Sequence, residues 1–296
     1  MKKIIFWLKA ARIYTTPMTI MSWGIVFVWG ITDGGNVALG ILTLFGILLA
    51  HLGTNLFDDY LDYKKGIENI QNLKEKCWYL KSGETTMPQV LTAVGIYFGL
   101  ATLIGLFLTI KVGWGVAVIT FAAAILCLFY SPLTYVGLGE VLVGLLFSPF
   151  LYLGTYYVMT HSFSKELMLM AISTGILVVA VLYTHMLIDY DSDKQDNKIT
   201  LCRIAGSKHN AFVLLVGLIS LAYINITVLV FFNILAYKFL LVFLSYPLAI
   251  KLFKLMRITT YDPNAKLEED YFRKRIDASI QLMAMFSVLV CIAKIL

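Results

Sequence analysis

Charged residues are scarce in this chain: they make up 14% of its 296 residues, whereas hydrophobic residues make up 59%. This balance, with a mean hydropathy of +0.81, excludes an ordinary soluble domain and indicates a protein that crosses the membrane several times. Cysteine is also rare. Because Cys77, Cys127, Cys202 and Cys291 are widely spaced and form no CxxC pair, neither a disulfide framework nor a zinc site is indicated.

The net charge of +6 does not indicate a nucleic-acid-binding protein, because membrane topology accounts for the basic residues. Nine apolar runs approach the length that spans a bilayer. They lie at 15–31, 37–57, 88–110, 112–131, 138–160, 167–189, 210–232, 234–251 and 277–295. With a cytoplasmic N-terminus, every Lys and Arg lies in a cytoplasmic segment except Lys111, Lys165, Lys238 and Lys294. The positive-inside rule therefore predicts that orientation.

These runs predict an all-α polytopic membrane protein, with nine transmembrane helices around a central cavity and one domain over residues 1–296. The basic N-terminal segment has too short an apolar part for a cleavable signal peptide and predicts a helix on the membrane surface. We expect the second and sixth spans to face each other across the cavity. The cytoplasmic loops 58–87 and 189–209 are expected to cap it.

The first acidic cluster closes the second apolar run and comprises Asn55, Asp58, Asp59 and Asp62. On a helix, Asn55, Asp59 and Asp62 are spaced i, i+4 and i+7 and share one face. Acids this close repel each other, and the C-terminal end of a helix dipole is already negative. We expect that folding alone would not favour this arrangement, whereas a bound divalent cation would.

The second acidic cluster closes the sixth run, on the same predicted side of the membrane. His185, Asp189 and Asp193 are spaced i, i+4 and i+8, again on one helix face, and Asp191 and Asp196 lie beside them. The two clusters could instead be solvated acids next to membrane spans. Two matched clusters on one side favour metal binding.

Magnesium is the metal that these oxygen ligands favour, since it is held by one or two carboxylates together with substrate phosphates. Two opposed carboxylate faces could hold two or more Mg²⁺ ions with a diphosphate bridging them. Cations beside the clusters would neutralise the remaining phosphate charge; they are Lys64, Lys65, Lys194, Lys198 and Arg203. An allylic diphosphate held in this way has a good leaving group, and its isoprenoid tail could lie in the membrane-embedded cavity.

The chain resembles the UbiA superfamily of intramembrane prenyltransferases over essentially its full length. That superfamily carries two aspartate-rich motifs on helices two and six of nine. The matching positions are Asn55, Asp59 and Asp62 in the first motif and Asp189 and Asp193 in the second. The resemblance implies that Mg²⁺ is the cofactor and that a polyprenyl diphosphate and an aromatic acceptor are the substrates. Membrane lipids, and no nucleic acid, are the other partners expected.

Within the superfamily, the stretches 135–140, 147–149 and 154–157 are most similar to the MenA type. That type transfers a polyprenyl chain to 1,4-dihydroxy-2-naphthoate on the route to menaquinone. Arg12 resembles the arginine that opens the first span in relatives. The chain departs from the pattern at His185, where an asparagine is usual, at Ile188, where an arginine is common, and at Asn197, which replaces a glycine before Lys198. These departures affect the identity of the acceptor expected from the resemblance more than they affect the expected metal chemistry.

The resemblance, together with the residues that lie beside the motifs or in the spans, gives a set of expected site residues. The catalytic residues would be Asp59, Asp62, Asp189 and Asp193, and the metal ligands would be these four with Asn55 and Asp58. The substrate-binding residues would be Asn55, Arg12, Lys65, Lys194, Lys198, His185, Tyr130, Glu140 and Tyr156. Tyrosine faces could stabilise an allylic carbocation, although most aromatic residues of a membrane protein pack or lie in the interfacial belt.

Three residues outside the motifs have a structural and a functional interpretation. Glu140 is a functional candidate, or it pairs with a lysine or favours a helix start. His51, one turn before Asn55, is interpreted as a hydrogen-bonded buried histidine. The basic run from Arg273 to Arg275 is interpreted as a contact with anionic lipid headgroups. For the whole chain, a terpene cyclase, an enzyme with another acceptor and an ion or solute transporter stay open as alternatives.

Overall fold

The computed structural model describes residues 2–64, 76–134, 136–195, 199–261 and 270–296, and every regular element in these ranges is helical. Apolar chain forms helices in a membrane because a helix satisfies its own backbone hydrogen bonds. The helices are α1 (Lys2–Ala10), α2 (Pro17–Thr32), α3 (Val37–Lys64), α4 (Trp78–Lys81), α5 (Met87–Val112), α6 (Trp114–Thr134), α7 (Gly139–Leu145), α8 (Leu151–Thr160), α9 (Lys165–Ile188), α10 (Tyr190–Gln195), α11 (Leu201–Ile204), α12 (Lys208–Phe231), α13 (Tyr246–Tyr261) and α14 (Tyr271–Ile295).

Eight helical segments in the described ranges are long and apolar enough to cross a membrane. They correspond to the predicted runs except the first, where α2 has 16 residues, fewer than the roughly 20 that span a bilayer. α2 nevertheless belongs to the bundle, since Ile25, Val26 and Trp29 are buried in the main core. The predicted all-α, multi-span architecture is confirmed, with eight segments of full length instead of nine.

Two spans contain segments that are not α-helical, and a proline lies in or next to each. Leu146–Phe150, between α7 and α8, is π-helical and contains Pro149, whose missing N–H removes one hydrogen bond of the regular ladder. In the eighth span a 3-10 helix, Tyr237–Ser245, precedes α13. Pro247 lies in the first turn of α13, where N–H groups have no intrahelical partner in any case.

α9 is central to the main core, where it packs against α7, α12 and α14. Its Leu177 and Tyr183 side chains are almost fully buried. Polar groups also join α9 to α12, because Ser173 Oγ donates to Ala222 O at 2.8 Å and Asn225 Nδ2 donates to Ser173 Oγ at 2.8 Å. Such bonds hold helices together where the surrounding lipid is as apolar as the side chains.

A second apolar cluster covers the C-terminal end of α3. It is formed by α1, α3, α4 and α5, with Leu56, Tyr79 and Val90 buried in it. The predicted surface helix α1 contributes Phe6 and Trp7, whose ring centroids lie 6.4 and 6.5 Å from that of Tyr79. The end of α3 that carries the first acidic cluster is therefore enclosed by protein.

Candidate active site

The first acidic cluster lies on the last turns of α3, which continues without interruption to Lys64. Asn55, Asp58, Asp59 and Asp62 are all buried, with no more than 8% of any of them exposed. The shared helix face predicted from their spacing is therefore present. It is turned into the protein, where an ionised carboxylate is costly unless other groups compensate its charge.

Arg12 joins the N-terminal segment to this cluster. Its Nη2 atom lies 3.3 Å from both Asp58 Oδ2 and Asp59 Oδ1 and donates to the Asn55 carbonyl at 3.1 Å. The backbone of Arg12 is left-handed, with a φ of 58°, which is uncommon outside glycine. Burial alone would lower the pKa of Arg12, but Asp59 and Asp58 outweigh it and raise that pKa, so the guanidinium stays charged.

Lys76 is the second cation at this cluster. Its Nζ atom lies 2.6 Å from Asp58 Oδ2 and 3.1 Å from Asp62 Oδ2. Burial alone would lower the pKa of Lys76, yet the facing carboxylates, Asp58 foremost, hold it above its ordinary value. The ammonium is therefore charged, and it occupies the point on which the Asp58 and Asp62 carboxylates converge.

The segment that follows Lys76 holds the remaining carboxylate oxygen. Asp59 Oδ2 accepts hydrogen bonds from the Cys77 backbone N–H at 3.0 Å and the Tyr79 hydroxyl at 3.1 Å. Burial and the adjacent Asp59 carboxylate raise the pKa of Cys77 to about 12, so its thiol is neutral, and Sγ donates to the Asp59 carbonyl at 3.2 Å. Asp59 is thus fixed by three contacts from one short segment.

These partners correct one expectation from the sequence, that only a metal would favour the stacked acids. Arg12 and Lys76 already place two positive charges against the three carboxylates of Asp58, Asp59 and Asp62. Within the described ranges, no group of three or more His, Cys, Asp or Glu side chains is positioned to hold a metal ion. Side chains of the fold therefore supply part of the stabilisation that was expected from a metal, and a divalent cation would have to share or displace these partners.

The oxygen atoms of the first cluster nevertheless fit a hard cation such as Mg²⁺. Asp59 Oδ1 is buried and accepts no hydrogen bond in the described part of the chain, although Arg12 Nη2 is nearby. The Asn55 amide nitrogen donates to the Ala11 carbonyl at 3.0 Å and to Thr15 Oγ1 at 3.2 Å. Its Oδ1 atom is thereby left as the group that a metal could use.

An apolar cavity of about 760 Å³ adjoins the first cluster. Arg12, Asn55 and Tyr130 line its polar end, and most other lining residues come from α3, α5, α6 and the stretch from α7 to α8. On α6 the lining extends from Tyr130 to Trp114, roughly 24 Å along a helix. Only Leu182 of α9 reaches it among the described residues, so α9 forms little of the wall expected opposite α3.

Tyr130 and Tyr156, both predicted to bind substrate, lie in different places. Tyr130 is in the cavity wall near the first cluster. The Tyr156 hydroxyl donates to Asp33 Oδ2 at 2.9 Å. Asp33 lies just before the start of α3, whereas the first cluster lies near the end of α3, about 20 residues later along a helix that rises about 1.5 Å per residue. The structure therefore places Tyr156 at the opposite end of the bundle, paired with a polar group there, and does not bring it to the site.

The second acidic cluster lies where α9 ends and α10 begins. α9 ends at Ile188, Asp189 caps it with its N–H donating to the His185 carbonyl, and Asp193 lies in α10. The expectation of one uninterrupted helix face through Asp193 is therefore wrong. The break has an electrostatic reason, because it moves Asp191 and Asp193 from a helix C-terminus into the first turn of a new helix, where the dipole favours acids.

The second cluster is more open than the first. Asp189 and Asp191 are exposed, whereas Asp193 is 8% exposed. The Asp191 carboxylate pairs with Lys208, and the Asp193 carbonyl accepts from Arg203 Nη1 at 3.3 Å. Lys194 is exposed. The predicted Lys65, Lys198 and Asp196 lie outside the described residues.

Two further residues lie beside the second cluster. Glu140 is buried, and its Oε1 atom accepts from the Leu201 N–H at 3.4 Å, so it holds the segment that follows the cluster. Arg275 is 6% exposed, with its guanidinium 5.0 Å from the Tyr271 ring centroid and within electrostatic range of Asp189. The lipid-headgroup interpretation is therefore wrong for Arg275, whereas Arg273 is exposed.

Sequence reasoning missed most of the groups that hold the first cluster. Lys76 was counted only among the basic residues assigned to the cytoplasmic side, Cys77 was named only as one of four scattered cysteines, and Tyr79 was not considered. They lie 14 to 20 positions from the acids that they contact, and no helical period connects them. The basic residue in the loop was the only available signal, and it does not specify a partner.

A family model and several similar proteins place the chain in the same family. The model of the UbiA prenyltransferase family matches residues 15–274. The chain is similar to the 1,4-dihydroxy-2-naphthoate octaprenyltransferase of Bacillus subtilis (strain 168), with 26% identity over 216 residues, 72% of this chain and 69% of that protein. It is also similar to the protein of the same name from Haemophilus influenzae, with 27% identity over 242 residues, 77% of this chain and 78% of that protein.

Solved structures share the fold. A digeranylgeranylglyceryl phosphate synthase superposes with a TM-score of 0.68 at 16% identity, over 100% of this chain and 99% of that one. A UbiA homologue from Archaeoglobus fulgidus, bound to GPP and Mg²⁺, superposes with a TM-score of 0.68 at 13% identity, over 96% of this chain and 99% of that one. At such low identity these similarities establish the helical architecture.

Proposed function

The chain belongs to the UbiA prenyltransferase family and is a prenyltransferase, and we propose that it transfers a polyprenyl group from an allylic diphosphate to 1,4-dihydroxy-2-naphthoate with Mg²⁺ as cofactor. One observation carries the proposal. The apolar cavity ends at Arg12 and Asn55, and Arg12 is paired with the buried Asp58 and Asp59 carboxylates behind them. That combination suits a substrate with a diphosphate head and a long hydrocarbon tail.

We propose that Asn55, Asp58, Asp59 and Asp62 hold Mg²⁺ at the first cluster, and that Asp189 and Asp193 do so at the second. Mg²⁺ bound there would neutralise the diphosphate and make it a better leaving group. In this scheme Arg12 is beside the same phosphates. Its fixed charge stabilises the negative charge that develops on the departing diphosphate, in a site with little water to reorganise.

The cavity wall provides what the organic part of the reaction needs. Its apolar lining excludes water from the allylic cation that forms as the carbon–oxygen bond to the diphosphate breaks. Tyr130, at the polar end of the cavity, presents an aromatic ring that can stabilise this cation. The electron-rich acceptor ring then attacks the allylic carbon. A carbon–carbon bond forms, and the carboxylate on the naphthoate ring leaves as CO₂.

The acceptor and the orientation belong to the same proposal. The naphthoate acceptor is supported by the names of the curated relatives. A cytoplasmic N-terminus, with both acidic clusters on the cytoplasmic side, is supported by the distribution of Lys and Arg. We treat residues 1–296 as one catalytic domain in which the segments 58–87 and 189–209, predicted as loops but partly helical in the described ranges, form the polar end of the site.

Prenyl transfer by the purified protein tests the proposal. We would incubate it with Mg²⁺, a long polyprenyl diphosphate and 1,4-dihydroxy-2-naphthoate, and detect products by chromatography and mass spectrometry. The expected product is a prenylated naphthoquinol that requires Mg²⁺. Diphosphate release without that product would point to another acceptor or to cyclisation, and an absence of release over several chain lengths would contradict the proposal.

A further inference from the structure

A chain of polar side chains runs from Asn55 back to α2. Asn55 Nδ2 donates to Thr15 Oγ1 at 3.2 Å, Thr15 Oγ1 lies 3.1 Å from His51 Nε2, and Thr19 Oγ1 lies 2.7 Å from His51 Nδ1. Thr19 is fully buried, and His51 lies in the cavity wall. The chain therefore connects the first acidic cluster with the interior of the bundle.

The number of protons that each group can donate fixes the proton positions along these hydrogen-bonded side chains. The Thr15 hydroxyl has one proton, and it lies 2.8 Å from the Arg12 carbonyl, which can only accept. Donating there, Thr15 must accept from both Asn55 Nδ2 and His51 Nε2. His51 is then the tautomer with its proton on Nε2, and its Nδ1 accepts from Thr19. In the other tautomer Nε2 carries no proton, so the Thr15 hydroxyl would have to donate to Nε2. No hydrogen would then lie between Thr15 Oγ1 and the Arg12 carbonyl oxygen, and two acceptors would face each other.

The orientation of the Asn55 amide follows from these contacts. Its nitrogen faces two acceptors, the Ala11 carbonyl and Thr15 Oγ1. An amide flip would direct Oδ1 at a carbonyl oxygen, so the nitrogen is fixed toward the N-terminal segment and Oδ1 is fixed away from it. Asn55 is 8% exposed, so water offers little alternative hydrogen bonding.

We propose that Thr15, His51 and Thr19 are positioning residues that fix the Asn55 amide so that Oδ1 can ligate the divalent cation. The proposal rests on the function proposed above, in which Asn55 is a metal ligand. Groups that orient a metal ligand typically change metal affinity by about 10–100-fold when they are removed. His51 acts here by its hydrogen bonds alone, which confirms that it is hydrogen-bonded, although it is half-buried in the cavity wall instead of fully buried.

Isosteric substitutions test this positioning relay, by which we mean the hydrogen-bonded side chains of Thr15, His51 and Thr19 that orient Asn55. Thr15→Val and Thr19→Val remove one hydroxyl each and keep the side-chain shape, while Thr15→Ser and Thr19→Ser keep the hydroxyl. The readout is Mn²⁺ affinity, measured in detergent by the electron paramagnetic resonance signal of unbound Mn²⁺. Thr54→Val is the matched control, because the Thr54 hydroxyl donates to the Ala50 carbonyl of its own helix, at 2.8 Å, and its other side-chain partner, Cys127, lies outside the acidic cluster.

We expect Thr15→Val to weaken Mn²⁺ binding by about tenfold or more, and Thr19→Val by a smaller factor because it acts through His51. Both serine variants and Thr54→Val should bind Mn²⁺ as the unmodified protein does. In activity assays the two valine variants should need more Mg²⁺ for half-maximal rate, with most of the rate restored at saturating Mg²⁺. A merely structural role would lower the rate at every Mg²⁺ concentration.

Unchanged Mn²⁺ affinity in both valine variants would overturn the relay, and so would an unmodified protein without saturable Mn²⁺ binding. The Thr19 hydroxyl is bonded to His51 and makes no direct hydrogen bond to Asn55 or Arg12 among the described residues, so Thr19→Val keeps the test valid if Thr15→Val fails to fold. The relay and the proposed function can fail separately. Weakened Mn²⁺ binding without naphthoate prenylation would support the relay and reject the acceptor.

Discussion

The two acidic clusters differ in how firmly the rest of the chain holds their carboxylates. In the first, Asp59 is fully buried and contacts Arg12, Cys77 and Tyr79. In the second, Asp189 is exposed and lies at a break between two helices. Two motifs that look alike as sequence patterns therefore differ in burial and in helix continuity.

The difference suggests a division of labour within the proposed site. The first cluster is preorganised, because two cations and the hydrogen bonds to Asp59 hold its carboxylates before any substrate arrives. Preorganised groups lose little free energy to reorganisation during a reaction. In the second cluster Asp189 and Asp191 are exposed and lie at a break between helices, so we expect its carboxylates to take their final positions when a metal–diphosphate complex binds.

The largest effect is expected for Asp59→Asn. This substitution removes one charge from a buried group while keeping its size, and we expect kcat/KM for prenyl transfer to fall by about 10²–10³-fold. Steady-state kinetics with saturating Mg²⁺ measures it, and Asp191→Asn provides the comparison from the second cluster. Equal losses in the two variants would remove the distinction between a preorganised and an open cluster.

Lys76→Met should change the affinities for Mn²⁺ and for a prenyl diphosphate in opposite directions. Lys76 Nζ competes with a metal for oxygens of Asp58 and Asp62, so its removal should tighten Mn²⁺ binding, by about tenfold for charges this close. Binding of a prenyl diphosphate should weaken, because one cation near the phosphates is lost. Titration calorimetry with each ligand separates the two effects.

Lys254→Met, on the exposed face of α13, is the control for Lys76→Met and should change neither affinity. If Lys76→Met weakened Mn²⁺ binding instead, Lys76 would be a support of the metal site and not a competitor in it.

Tyr79→Phe should lower stability with a smaller effect on chemistry. It removes one hydrogen bond to the buried Asp59 carboxylate, and hydrogen bonds to charged groups contribute roughly 1.5–3 kcal/mol. We expect a lower midpoint of thermal unfolding in detergent. Tyr60→Phe is the control at the same end of α3, where the Tyr60 ring stacks near Phe57. Equal midpoints in the two variants would show that the Tyr79 hydroxyl contributes little to holding Asp59.

The smallest effect is expected for Asp191→Asn. Its carboxylate is exposed and pairs with Lys208 at the surface, and such ion pairs contribute about 0–1 kcal/mol. We expect kcat/KM to change by less than about twofold and the unfolding midpoint to stay the same. A large loss of activity would mean that Asp191 joins the metal site when substrate binds.

Much of the architecture could be predicted from hydropathy and spacing. Apolar runs predicted the spans, and the helical period predicted that Asn55, Asp59 and Asp62 share a face. The pairing of Arg12 with Asp58 could not be predicted, since it joins positions 46 residues apart and leaves no periodic pattern. The break at Asp189 was missed for a related reason: residue spacing assumes a continuous helix, whereas local electrostatics ended it.

One photocrosslinking measurement tests the central claim, that the prenyl tail lies in the cavity with its diphosphate at the first cluster. A geranylgeranyl diphosphate analogue with a diazirine at its hydrocarbon end would be irradiated with the protein and Mg²⁺, with and without excess unlabelled substrate. We predict competable labels near Leu108, Val116 and Val158, the buried cluster that lines the far end of the cavity. Competable labels on α12 or α13 instead would contradict the account.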